Sequence, residues 1–149
     1  MLNTLNTVAI VFAILLTLLP GAASAGNGPT ICDNATAIPF STANTVVVAG
    51  AQAGQKVYVC GVTASGTVNT NTTVQLVYGT KTTTDCDTGQ SNLTPVYSSG
   101  SPVVGTSEET IIPVQQPAFI WTPASQQLCV KAAGTIGTLR VKVYWAQHA

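Results

Sequence analysis

The carboxyl-terminal residues 138–146 alternate between two sets of side chains, and this alternation constrains the fold more than any other feature of the chain. Successive side chains of a strand point to opposite faces of a sheet, so the alternation predicts a strand with one face in the core. One face would carry Leu139, Val141, Val143 and Trp145, and the other would carry Arg140, Lys142 and Tyr144.

Shorter segments of the same kind fill most of the chain. Their Thr and Val residues lose side-chain freedom in a helix and pack well in a sheet, which favours strands. Turn residues predict one hairpin that joins residues 45–49 to 57–63, and a last hairpin that joins 127–132 to 138–146. We expect further strands at residues 73–80, 93–97, 110–114 and 118–122, with a loop-rich middle from 81 to 105. The sequence therefore predicts an all-β chain, a β-sandwich with jelly-roll or Greek-key connections.

The amino-terminal residues differ from the rest. Residues 8–19 are apolar with one exception, and Pro20, Gly21 and the small residues 23–25 follow them. This pattern predicts a signal peptide that is cleaved after Ala25. A membrane-spanning helix needs about 20 apolar residues, so the run is too short to be an anchor and we expect no membrane span after cleavage.

Cleavage would leave a chain long enough for one domain and too short for two. The predicted organisation is a signal peptide at residues 1–25, a flexible leader at 26–31 and a β-sandwich domain at 32–149. We expect the domain to be secreted, either extracellular or periplasmic, in a compartment where thiols oxidise.

All the cysteines lie in the predicted domain, and they form an even set: Cys32, Cys60, Cys86 and Cys129. An exported chain with four cysteines favours two disulfides, for which three pairings exist. A bridge from Cys60 to Cys129 is expected because both residues lie in apolar, strand-like segments. No Cys-x-x-Cys motif occurs, which disfavours zinc.

Charge is scarce and balanced, with five basic and five acidic residues. The basic residues are scattered, so no basic patch is available to neutralise a phosphate backbone, and nucleic acid is not an expected partner. A surface wetted mainly by hydroxyls and amides repels other copies weakly and tolerates close association.

Catalytic machinery is not apparent in the sequence. His148 is the single histidine and lies one residue from the carboxyl terminus, while Glu108 and Glu109 would point to opposite faces of a strand. General acid–base chemistry most often needs an imidazole or two carboxylates in one pocket. We therefore predict that the protein is not an enzyme and has no cofactor.

Two other groups of residues are candidates for binding. Asp85 and Asp87, with Gly89 two residues further on, resemble the opening of a calcium loop. The alternative is that these Asp side chains cap backbone amides in a turn. Trp121 and Tyr144 are candidates for stacking on a ligand. We expect Trp145 in the core and favour the core for Trp121 as well. Tyr144, beside Arg140 and Lys142, is therefore the ring expected to be exposed. Three N-x-S/T sites, at Asn34, Asn71 and Asn92, weakly favour exposure of their segments.

Several local motifs stand out: Tyr-Val-Cys-Gly at residues 58–61, Val-Tyr-Gly-Thr at 77–80, Asn-Leu-Thr at 92–94 and Leu-Cys at 128–129. Together they resemble a group of short, uncharacterised β-sandwich proteins of phage and bacterial origin. The resemblance spans the chain from Cys32 to its carboxyl terminus. It implies a virion-associated or surface-displayed module without catalysis. Virion components are assembled in the cytoplasm and carry no signal peptide, so the predicted signal peptide of this chain differs from that pattern.

These observations favour a non-catalytic secreted module with a structural or adhesive role at a surface. Its partner would be extracellular or on a cell surface, either a glycan or further copies of the chain. One alternative is a pilus subunit that assembles by strand addition, for which an alternating carboxyl-terminal strand is typical. Another alternative is a lectin-like carbohydrate-binding module, which requires Trp121 or Tyr144 to be exposed.

Overall fold

A computed structural model describes residues 31–68, 72–98 and 109–149, so the predicted signal peptide and most of the leader lie outside the described residues. The strands are β1 (Asn34–Phe40), β2 (Asn44–Ala49), β3 (Lys56–Val68), β4 (Thr73–Thr80), β5 (Thr88–Asn92), β6 (Tyr97–Ser98), β7 (Glu109–Ile112), β8 (Ile120–Trp121), β9 (Gln127–Ala133) and β10 (Ile136–His148). A helix with the length and apolar character to cross a membrane does not occur in these three segments.

The strands form two antiparallel sheets. Sheet I has the order β1-β10-β3-β7, and β8 pairs with β3 beyond the end of β7. Sheet II has the order β2-β9-β4-β5, and β6 pairs with β4. If β5 with β6 and β7 with β8 each count as one interrupted strand, this is the eight-strand order of a jelly roll, which confirms the predicted fold class.

A single apolar core fills the space between the two sheets. Alternate side chains of each strand point into it, as the period of two requires. Its largest fully buried members are Val57, Val59 and Val62 from β3, Leu76 from β4, Leu128 and Val130 from β9, and Val141 and Val143 from β10. The predicted inward face of β10 is therefore confirmed, and Trp145 packs against this core while remaining partly exposed.

Both predicted hairpins are wrong. β2 pairs with β9 and β3 pairs with β10, so the turn at residues 50–55 carries the chain from one sheet to the other. β9 and β10, which follow each other closely, also lie in different sheets. Alternation and turn residues show only that two strands bury the same kind of face. Two strands that face each other across a core satisfy this condition as well as two neighbours in one sheet.

Individual strands were predicted with mixed success. β4 has the predicted bounds, whereas β5 lies in a segment that we expected to be a loop and β1 was not expected. β1 contains Pro39, which lowers its strand signal but suits an edge strand. Asn34 and Asn92 are exposed at strand ends, and Asn71 lies outside the described residues.

Two disulfides form, as predicted, but the expected bridge between Cys60 and Cys129 is wrong. The bonds join Cys32 to Cys60 and Cys86 to Cys129. Cys60 and Cys129 belong to different sheets, and neither is among the residues that pack between the sheets. Each bond instead ties together two parts of one sheet that have a strand between them, β10 in sheet I and β4 in sheet II.

Candidate functional site

The outer face of sheet I, opposite the core, carries a group of aromatic rings. Tyr58 lies between Val57 and Val59, which are both buried in the core, so its ring projects outward. Trp121 is the direct partner of Tyr58 in the pairing of β8 with β3. The centroids of the two rings are 6.2 Å apart and their planes are tilted by 43°. This tilted arrangement is one that aromatic pairs prefer.

His148 extends this group on the other side of Tyr58. It is the last residue of β10 and pairs with Lys56 of β3. Its ring centroid lies 6.2 Å from that of Tyr58, and the two planes are tilted by 44°. Trp121, Tyr58 and His148 therefore form an aromatic row across three neighbouring strands. The row has polar atoms as well as ring faces: an indole N–H, a phenol hydroxyl and an imidazole.

Trp121 is exposed over 51% of its surface, so the expectation that it lies in the core is wrong. The reason is its position, because β8 contains two residues and lies at the edge of sheet I. Phe119 and Val114, from the same segment of chain, are also exposed. Ile31 is exposed beside Cys32, which is bonded to Cys60 on β3. Most of the large exposed apolar side chains of the described residues thus come from segments attached to one region of sheet I.

Backbone hydrogen bonds hold the segment between β7 and β8 against β3. The N–H of Gln115 donates to the carbonyl of Cys60 at 2.7 Å, and the N–H of Phe119 donates to that of Val59 at 3.3 Å. Beyond β8, the N–H of Thr122 donates to the carbonyl of Val57 at 2.9 Å, and its hydroxyl accepts from the N–H of Val57 at 3.0 Å. These hydrogen bonds hold the segment that contains Trp121 in place along β3.

Gly61 allows this close approach, a role that its position in the sequence did not predict. A Cβ at this position would lie 2.7 Å from the Cα of Val114. A glycine inside a strand often marks a site where another backbone approaches closely, and this general signal was present in the Tyr-Val-Cys-Gly motif.

Tyr144 lies on the same outer face but is less open than Trp121. The Nζ of Lys142 lies 4.8 Å from the centroid of its ring, a cation–π contact. The ring is partly buried, so the expectation that Tyr144 is the more exposed of the two rings is wrong, and Trp121 offers the more exposed aromatic surface.

The two aspartates of the candidate calcium loop have partners within the protein. The carboxylate of Asp87 accepts the N–H groups of Thr82, Thr83 and Thr84 at 2.8 to 2.9 Å, and also the hydroxyl of Thr82. These donors, led by the N–H of Thr84, hold the pKa of Asp87 far below its usual range. Asp85 forms an ion pair with Lys81, with 3.2 Å between Nζ and Oδ1.

This geometry is that of the alternative interpretation, in which Asp caps a turn. A group of three or more His, Cys, Asp or Glu side chains placed to hold a metal ion does not occur in the described residues. Of the acidic pair considered for catalysis, Glu108 lies outside the described residues and Glu109 begins β7.

Compared with protein-family models, curated proteins and solved structures, the chain finds no match in any of the three.

Proposed function

We propose that this domain is an exported, non-catalytic adhesion module that binds glycans through the aromatic row of sheet I. The observation that carries the proposal is Trp121, which is half exposed beside Tyr58 on the outer face of sheet I. Burial of a large aromatic side chain stabilises a fold. A large aromatic side chain that stays exposed among other apolar residues does not contribute this stabilisation. Such patches mark binding surfaces.

A sugar ring fits this surface better than a purely apolar partner does. One face of a pyranose presents C–H groups, which pack against the electron-rich face of an aromatic ring, while its hydroxyls require hydrogen-bond partners. The row offers both, because each of its three rings has a polar atom and Lys56 pairs with His148 at its end. Binding sites generally combine apolar rings with a few polar groups in this way.

The two disulfides support the exported part of the proposal. Disulfides persist in oxidising compartments and are rare in the cytosol. Together with the predicted signal peptide, they agree with a module that works outside the cell.

The described structure gives no support to a role as a pilus subunit. That alternative used the alternating carboxyl-terminal strand as the segment donated to a neighbour. β10 pairs with β1 on one side and with β3 on the other, so both of its edges are already occupied within its own sheet.

The proposal can be tested with the mature domain, residues 26–149, on an array of neutral and acidic oligosaccharides. We expect binding to at least one glycan class, and a loss of about tenfold or more in affinity for Trp121→Ala, since an exposed aromatic anchor dominates such sites. His148→Ala should weaken binding by a smaller factor.

Val96→Ala is the matched control, because Val96 is similarly exposed, at 54%, but follows β5 of sheet II. This variant should bind as the original domain does. An array without any bound glycan, or a Trp121→Ala variant with unchanged affinity, would refute the proposal.

A further inference from the structure

The three rings of the aromatic row lie on three neighbouring strands of sheet I, so the row runs across the strands rather than along one of them. Trp121 of β8 is directly opposite Tyr58 of β3. On the other side of β3, His148 of β10 pairs with Lys56, two residues before Tyr58. A ligand that contacts all three rings therefore has to be elongated, and it has to lie across β8, β3 and β10.

The planes of neighbouring rings in the row are strongly inclined to each other. The tilt is 43° between Trp121 and Tyr58 and 44° between Tyr58 and His148, with the centroids 6.2 Å apart in both pairs. Interacting aromatic pairs have centroids about 4.5 to 7 Å apart, so each ring restricts the orientation of the next. Neighbouring strands of a sheet are also rotated relative to one another, by about 20 to 25°. The three rings therefore do not form one flat platform.

This inclination limits the glycans that can contact several rings at once. A sugar ring stacks on an aromatic ring with the two planes nearly parallel, because its C–H groups then contact the whole ring face. Two successive sugars that stack on Trp121 and Tyr58 must therefore be inclined to each other as the two rings are, by 43°. In a flat glycan chain such as cellulose, the planes of successive sugars nearly coincide. In a helical chain they turn about the chain axis, so each sugar can stack on its own ring.

We propose, on the basis of the glycan binding proposed above, that the aromatic row binds a helical glycan chain in preference to a flat one. Successive sugars stack on Trp121, Tyr58 and His148. Trp121 is the main anchor, and His148, which is exposed at the other end of the row, extends the site for longer chains. The hydroxyls of the sugars find hydrogen-bond groups in the indole N–H, the phenol hydroxyl and the imidazole.

Pairs of glycans built from the same sugar test this preference, because only the shape of the chain differs within a pair. Cello-oligosaccharides are flat and malto-oligosaccharides are helical, and both consist of glucose. β-linked and α-linked manno-oligosaccharides form a corresponding pair for mannose. For the sugar that the array identifies, we expect calorimetric titration of the mature domain to show about tenfold or more higher affinity for the helical member.

Equal affinities within a pair, or tighter binding of the flat member, would overturn the preference for helical chains and leave glycan binding intact. An array without any bound glycan would refute the glycan binding itself, and the preference with it.

The length of the chain tests the use of all three rings. Affinity for the helical series should rise with chain length and level off once the chain reaches from Trp121 to His148. His148→Ala should remove the last part of this rise, about threefold to tenfold, and leave the affinity for the disaccharide unchanged. Trp121→Ala should weaken the binding of short and long chains alike.

His148→Phe is the matched variant, because it keeps a ring at the end of the row and should retain part of the rise. His148 is exposed and next to the last residue, so both variants should unfold at the same temperature as the original domain. Affinity that does not depend on chain length would overturn the arrangement on three rings. A His148→Ala variant that loses disaccharide binding as strongly as long-chain binding would overturn it as well.

Discussion

The outer faces of the two sheets each carry a disulfide, but the side chains around the two disulfides differ in their exposure to solvent. Each carries one disulfide that spans an intervening strand. On sheet II, Cys86 and Cys129 are fully buried and pack with Val77 and Val47 in a small second core. On sheet I, the region around the disulfide is bordered by exposed apolar side chains, above all Trp121. Cys60 is fully buried as well, so the two faces differ in what surrounds the disulfide: on sheet II, the closed face, it is a small apolar cluster, and on sheet I, the open face, it is a set of exposed apolar side chains.

The difference arises from what lies over each sheet. The turn before β5 folds onto sheet II, where the side chain of Gln127 accepts the N–H of Cys86 at 3.0 Å, and Asp87 orders the turn from within. On sheet I, the segment that passes close to Gly61 continues along the same edge as β8, and its own apolar residues Val114, Phe119 and Trp121 stay exposed. A covered face contributes stability, and an open apolar face is available for binding.

Removal of the sheet II disulfide should have the largest effect on stability. In the chain-entropy model, a loop of 43 residues is worth about 4 kcal/mol. Replacement of both Cys86 and Cys129 by Ala should lower the free energy of unfolding in urea by at least that amount, since both side chains are fully buried and the second core would lose its centre.

The matched variant replaces Cys32 and Cys60, which close a loop of 28 residues and should cost slightly less, about 3.5 kcal/mol. A sheet I variant that is clearly the less stable of the two would reverse the comparison between the closed and the open face.

Gly61→Ala should destabilise the domain by about 1 to 3 kcal/mol, because the added Cβ would collide with the backbone of Val114. Chemical denaturation measures the loss. Gly50→Ala is the control, since a Cβ at Gly50 has no neighbour within 4 Å. Equal stabilities for the two variants would mean that the crossing segment moves freely over sheet I.

Asp87→Asn should destabilise the turn that covers sheet II in a pH-dependent way. The pKa of Asp87 is lowered in the folded protein, so its contribution is fully present above the unfolded pKa of about 4 and is lost as the pH falls through the folded value. The difference in unfolding free energy between the original domain and the variant should therefore be largest near neutral pH and shrink below pH 4. A difference that stays constant down to strongly acidic pH would contradict this role of the carboxylate.

Trp121→Phe should have the smallest effect on stability, within about 0.5 kcal/mol, because the side chain is half exposed. Its effect should be on fluorescence instead. Acrylamide should quench Trp121 strongly and Trp145 weakly, since Trp145 packs against the core and donates its indole N–H to the hydroxyl of Thr36 at 2.8 Å. Quenching that is no weaker after the substitution would show that the face of sheet I is covered in solution.

Much of the fold followed from local sequence. The period of two in residues 139–143 placed their apolar side chains correctly in the core, and the bounds of β4 were predicted because its ends coincide with turn residues. The errors concern long-range pairing. The partner of β2 is β9, some eighty residues away in sequence, and no local pattern specifies which distant strand will pair with β2.

The candidate site was predicted only in part. Trp121 was identified as a candidate from its residue type, but its exposure depends on β8 being a two-residue strand at an edge. The position of His148 beside Tyr58 depends on the pairing of β10 with β3, so a residue close to the chain terminus becomes part of the aromatic row.

The sequence by itself determined that the chain is all-β, that its core side chains alternate and that its cysteines form two disulfides. The first two properties depend on neighbouring residues along the chain, and the third depends on the number of cysteines. Only the tertiary structure decided which strands pair, which cysteines meet and which aromatic rings remain in solvent. Each of these depends on how two sheets cover one core, and that arrangement is set by contacts between residues that are distant along the chain.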